Sequence, residues 1–283
     1  MNGIVALGGV TVESRRRVRF EMEGTEVCAA DVATIKLEER DLMAEFNPTK
    51  RTWSMRWKWT KGAEPDVLKN RIQEHSPSDE ARALYEDELG KYITNGWLVP
   101  YDHIKHGPAK GLIPLMAVIQ RNKKSVRPVM DFRELNTHIE AFTAGSEICA
   151  QKLRDWRRQD ANVTMLDLKR AYLQIHVDQS LWPYQTVGHK GRKYCLTRLG
   201  FGSNIASLVM KAVLGCALSQ NANVQRGTSA YIDDILVNED IVKASYVVQH
   251  LGGYGLTCKA PARVADGARA LGFKVWEEHG SMF

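Results

Sequence analysis

The sequence predicts an α+β fold, an antiparallel sheet backed by helices, and three stretches carry that prediction. Ala230-Tyr231-Ile232-Asp233-Asp234-Ile235-Leu236-Val237 sets two adjacent carboxylates inside an apolar, β-prone run, which reads as two short strands around an Asp-Asp turn. Trp53-Ser54-Met55-Arg56-Trp57-Lys58-Trp59 alternates large apolar residues with polar or basic ones, and this period of two marks a half-buried strand. From Ser76 onward, Ala81, Leu84, Tyr85, Leu89, Tyr92 and Ile93 recur at helical spacing until Asn95-Gly96 ends the run. Ser76 is expected as its N-cap, Pro77 as its first residue and Asp79 as the acidic partner of a capping-box-like pattern.

The chain has 283 residues, 44% of them apolar and 25% charged, which is enough for a sizeable core in one large or two modest domains. A net charge of +6 favours a polyanionic partner without requiring one. Cys28, Cys149, Cys195, Cys216 and Cys258 are scattered and form no Cys-x-x-Cys pair, which points to reduced thiols inside a cell and against a zinc knuckle. His103 and His106 lack a second ligand pair, so zinc is not expected there. The apolar run over 112–119 is short and contains Pro114; neither a membrane span nor a signal peptide is read.

In chain order, residues 1–75 differ in character from the remainder of the chain. A Gly-rich start precedes the basic run Arg15, Arg16, Arg17 and Arg19, which suits a solvated face or a nucleic-acid contact. The Trp-rich strand comes next, its alternating Trp and Lys/Arg suiting either base stacking or a packed domain edge. After the helix, two runs over 112–120 and 126–136 flank the basic turn Arg121-Asn122-Lys123-Lys124-Ser125, a hairpin with a positive tip. A polar helix around 151–159 leads to Val163-Thr164-Met165-Leu166-Asp167, a buried-looking strand that ends in a carboxylate, with Tyr172 five residues on. A hairpin over 185–197 and a Gly-rich turn over 198–204 open a helix through Leu218. Past the Asp-Asp turn, Asn238 is expected to cap a helix with Ile241, Val242, Ser245, Val248 and Leu251 inward, stopped by Gly252-Gly253.

Two carboxylates about 4 Å apart repel by roughly 4 kcal/mol at an effective dielectric near 20, so the Asp233–Asp234 pair needs a proton or a cation. Hard oxygen ligands point to Mg²⁺. A solvated turn is the plainer reading of the pair taken alone.

Asp167 at a strand end followed by Tyr231-Ile232-Asp233-Asp234 resembles the two metal-binding palm motifs of reverse transcriptases. Further stretches extend the resemblance over roughly 76–283. Arg127-Pro128-Val129-Met130-Asp131-Phe132-Arg133-Glu134-Leu135-Asn136 is similar to the family's fingers hairpin, which implies that Arg127 grips the incoming triphosphate and that Lys123 or Lys124 reaches its γ-phosphate. Tyr172 stands at the offset of the aromatic that packs under the sugar and excludes a 2′-hydroxyl; a core aromatic is its alternative role. Phe201, Gly202 and Ala206 match the turn that contacts nucleotide and template, while Ser203 and Ser207 stand where Leu and Pro are usual. Gly255-Leu256-Thr257-Cys258-Lys259 resembles the next palm motif, whose Lys assists proton transfer to pyrophosphate, and Leu271-Gly272-Phe273-Lys274-Val275 the start of the primer grip.

The resemblance implies a polymerase right-hand fold with fingers and palm over 76–283 and the thumb absent, of the kind found in long-terminal-repeat retrotransposon Pol polyproteins. Residues 1–75 would be an N-terminal extension or linker; the opening segment faintly resembles the tail of a retroviral-type aspartic protease, without an Asp-Thr/Ser-Gly triplet. The implied activity is RNA-directed DNA synthesis, with Asp167, Asp233 and Asp234 catalytic and holding two Mg²⁺, helped by the Leu168 carbonyl. The partners implied are an RNA template, a DNA primer and deoxynucleoside triphosphates, with other Pol domains or a second copy. The location implied is intracellular, in a cytoplasmic retroelement particle or the nucleus. The alternative is a decayed or domesticated fragment that binds RNA or DNA without polymerising.

Overall fold

The computed structural model describes residues 10–13, 34–72, 74–120, 125–142, 151–152, 154–156, 162–271, 273–278 and 281–282. The fold is α+β, with antiparallel sheets and helices packed on them. Strands β1 (Val10–Glu13), β2 (Thr34–Glu38), β3 (Leu42–Asn47) and β4 (Thr52–Trp57) form an antiparallel meander, and β4 then pairs in parallel with the distant β9 (Ile175–Val177). The period of two in β4 has its expected effect: Trp53, Met55 and Trp57 are buried while Ser54 and Arg56 face out. Trp53 also spends its indole N–H on the Tyr254 carbonyl at 3.0 Å, so the strand is tied to the far end of the chain.

Helix α1 (Asp79–Thr94) buries Ala81, Tyr85, Leu89 and Tyr92. Two details of the expected helix are corrected. Its N-cap is Ser78, whose backbone carbonyl accepts from the N–H groups of Ala81 and Arg82, because Pro77 disfavours a helical conformation at Ser76 and the chain stays extended through Ser78. Leu84 is exposed, since the buried stripe runs one position to its side.

Strands β6 (Leu115–Gln120) and β7 (Ser125–Met130) make the expected hairpin; its tip, with Lys123 and Lys124, lies outside the described residues. Strand β5 (Leu98–Pro100) joins the hairpin of β10 (Thr186–His189) and β11 (Arg192–Leu196). The central sheet has the order β12 (Thr228–Tyr231), β13 (Asp234–Asn238), β8 (Val163–Asp167), β14 (Ala262–Arg263). It is buried on both faces: Leu166, Ile235 and Val237 join the main core, and Val163, Met165 and Leu236 a smaller one with Trp156 and Val264.

Helix α2 (Ala206–Ser219) lies in the main core through Val209, Met210, Val213, Leu214 and Ala217. Helix α3 (Ala244–Gly253) begins six residues later than its expected cap. Asn238 spends its side-chain oxygen on the Asp240 N–H, forming a turn at the strand end, and Glu239 reaches the Ala244 N–H instead. Its buried stripe is Ala244, Val247 and Leu251, which leaves Ile241 and Ser245 exposed. No helix among the described residues is long and apolar enough to cross a membrane.

Candidate active site

The site is assembled by register. Antiparallel pairing of β13 with β8 sets Asp234 opposite Asp167, and the β12–β13 turn places Asp233 beside them, its carbonyl accepting the Leu168 N–H at 3.2 Å. Ile232, in that turn, has φ +57, a left-handed conformation that a β-branched residue adopts only under constraint. The strand pairing on both sides of the turn supplies that constraint.

The three carboxylates answer to different neighbours. Asp167 accepts from the Lys259 ammonium at 2.5 Å, and the Lys259 N–H donates to the Asp167 carbonyl at 2.7 Å. Burial, reinforced by the charge of Asp167, pushes the Asp233 carboxyl above the ordinary carboxylate range. Asp234 is pushed up to about 6, by burial first and further by Asp233 and Asp167, against a hydrogen bond from the Leu271 N–H at 2.8 Å. Among the described residues no three His, Cys, Asp or Glu side chains converge as a metal-binding cluster. Their chemistry nevertheless suits a hard cation: three oxygen donors of one sign, two of which burial and mutual charge make harder to ionise, with a single lysine ammonium offsetting only part of their charge.

The expected nucleotide-binding residues extend from this edge. Tyr172 is part-buried against the main core, and its phenol is raised by burial and then by the charge of Asp233, so it lies between core and carboxylates. Its ring meets Phe201 edge-on at 5.0 Å, and the Arg127 guanidinium lies 5.3 Å from the Phe201 ring. Gly202 has φ +101, and a Cβ there would come 3.1 Å from the Met130 carbonyl, so the turn needs glycine to approach β7. Asp167, Leu168, Asp233, Asp234 and Lys259 are thus brought together, and Tyr172, Phe201, Gly202 and Arg127 continue the line toward the β6–β7 hairpin.

Two supporting contacts lie outside the expected site residues. Asn136 donates to the Gly202 carbonyl at 2.9 Å and accepts from the Asn204 N–H at 3.0 Å, fastening the Gly-rich turn to the base of the hairpin. Leu271 reaches Asp234 through its backbone, so its side chain gives no hint of the contact.

Residues 118–251 match the family model described as reverse transcriptase (RNA-dependent DNA polymerase). That segment contains every expected site residue except Lys259. The chain is similar in structure to native prototype foamy virus protease-reverse transcriptase, with 21% identity, a TM-score of 0.60 and coverage of 76% of this chain and 28% of that one. The CSH mutant of the same viral protein gives 20%, 0.62, 79% and 29%, and the foamy viral protease-reverse transcriptase in complex with RNA/DNA hybrid gives 18%, 0.61, 74% and 28%. At such identities the likeness shows the fold, and the chain spans less than a third of the length of these three structures. No curated protein matches the sequence.

Proposed function

We propose that the chain is the fingers-and-palm part of an RNA-directed DNA polymerase of retroelement Pol type, working inside the cell on an RNA template and a DNA primer. The observation that carries this reading is the Asp234–Asp167 register, which gathers three carboxylates at one sheet end within the segment that matches the reverse transcriptase family. The foamy viral relatives include complexes with double-stranded DNA and with RNA/DNA hybrid. In this reading residues 1–75 are an extension whose strands lengthen the sheet at β9, and 76–283 carry the polymerase parts.

Asp167 and Asp233 would hold Mg²⁺, with Asp234 and the Leu168 carbonyl in support. The ions would supply activation of the primer 3′-hydroxyl and neutralisation of the triphosphate. Arg127 holds the triphosphate, Tyr172 packs under the sugar, and Phe201 with Gly202 shapes the floor on which base and template rest. Lys259 leaves Asp167 as the site loads and donates its proton toward the departing pyrophosphate.

A second reading, binding of RNA or DNA without polymerisation, is favoured by one observation: two of the gathered carboxylates are already engaged, Asp167 by the Lys259 ammonium and Asp234 by the Leu271 N–H. Primer extension with deoxynucleotides on a homopolymer RNA template separates the two. Incorporation that falls at least about a hundredfold in Asp233→Asn supports the polymerase. Tight, salt-sensitive primer-template binding with no incorporation supports the second reading.

A further inference from the structure

Half-buried charge of one sign occurs a second time, at the β9 edge of the five-stranded sheet. Arg198 lies beside His176 through an antiparallel bridge, and His176 in turn pairs with Ser54 of β4. The Arg198 guanidinium donates to the Thr197 hydroxyl at 2.8 Å and to the Thr197 carbonyl at 3.4 Å; among the described residues it meets no carboxylate. Burial lowers its pKa with no acidic neighbour to offset the effect. His176 is pushed down to about 4, by burial first and then by the charges of Arg198 and Lys50, so its ring is neutral at pH 7.

The carboxylates of the same sheet are placed or spent elsewhere. Asp178, just past the end of β9, accepts from Arg56 at 3.3 Å and from Ser180. Glu45 stands one strand beyond Ser54. A half-buried guanidinium with unspent donors and no counter-charge is costly unless an anion joins it.

We propose that Arg198, His176 and Lys50 form an oxyanion site that takes a phosphate group. Two kinds of donor stand side by side there, a planar guanidinium and a neutral imidazole N–H, and the flexible Lys50 ammonium is near enough for its charge to act on the His176 ring. Together they suit a tetrahedral oxyanion better than a flat carboxylate, which the guanidinium alone would satisfy. The site stands on its own geometry and does not depend on the polymerase reading. Its phosphate belongs to a free phosphate species or to the backbone of a nucleic-acid strand, and the two arms of the test tell these apart.

The test follows the histidine imidazole resonances of the full chain by NMR, with His176 assigned through His176→Gln, while inorganic phosphate or a short oligothymidylate is added at constant ionic strength. Bound phosphate should shift the His176 signal and raise its protonation midpoint by about one pH unit, since an anion favours the charged ring. Arg198→Met should abolish the response. Lys50→Met, at an exposed position that does not endanger folding, should weaken the apparent affinity about threefold or more. A response to inorganic phosphate identifies a free-phosphate site, and a response to the oligonucleotide alone identifies a backbone site. An unmoved His176 in both arms overturns the proposal, as does a response that is the same in wild type and Lys50→Met.

Discussion

In β4, Trp53, Met55 and Trp57 turn inward and Ser54 and Arg56 outward, whereas in β8 every residue from Val163 to Leu166 is buried and charge arrives only at the last position, Asp167. The first strand belongs to a sheet with one wet face, where ion pairs such as Lys58–Glu38 at 3.1 Å and Arg56–Asp178 at 3.3 Å form in solvent and contribute little. The second belongs to a sheet covered on both sides, so the acids at its end have few neighbours to dilute their charge. The difference teaches where chemistry can sit: a solvated face neutralises charge, and a buried strand end concentrates it.

The largest expected effect breaks the packed side of the outer sheet. Trp53→Ala removes a side chain that is 1% exposed together with its bond to Tyr254, and should cost about 3–5 kcal/mol in chemical denaturation. At the carboxylate end, Tyr172→Ala should lower the deoxy-to-ribo ratio in kcat/KM by about tenfold or more if the ring lies under the sugar. A purely core role would instead show as lost stability with sugar choice unchanged, and both are measured on one preparation.

Smaller and opposite in sign is the effect at Asp234. Its folded-state pKa of about 6 lies above the ordinary 3.8, so ionisation opposes folding. For this group the metal-free protein is most stable below about pH 4, loses that stability as the pH rises through about 6, and loses no more beyond. Asp234→Asn should flatten the stability slope between pH 4 and 6 and raise stability at pH 7.5 by about 1 kcal/mol, the full shift being discounted for solvent screening. Smallest is Ser54→Ala on the wet face, expected within about 0.5 kcal/mol of wild type.

Much of this contrast is legible in the residues themselves. The alternation from Trp53 to Trp57 declares a half-buried strand, and Tyr231-Ile232-Asp233-Asp234 declares a turn where charge interrupts an apolar run. The boundaries are less legible, because Ser76, Ser78 and Asn238 are all able to cap, and only the surrounding chain decides which carbonyl or carboxamide is free to do so. Least legible are contacts made by backbone groups or by distant strands. Nothing in Leu271 announces a hydrogen bond to Asp234, and nothing in Arg198 announces His176, because both meetings depend on how separate strands come to lie side by side.

The central claim is that Asp167, Asp233 and Asp234 form a centre whose excess negative charge calls for a divalent cation. Thermal denaturation of the wild-type chain and of Asp233→Asn, each with and without millimolar Mg²⁺ at constant ionic strength, tests it most directly. The account predicts a rise of several degrees in wild-type Tm, through preferential binding to the folded state, and a much smaller rise in the variant. Equal rises in both proteins, or none in wild type, would contradict it.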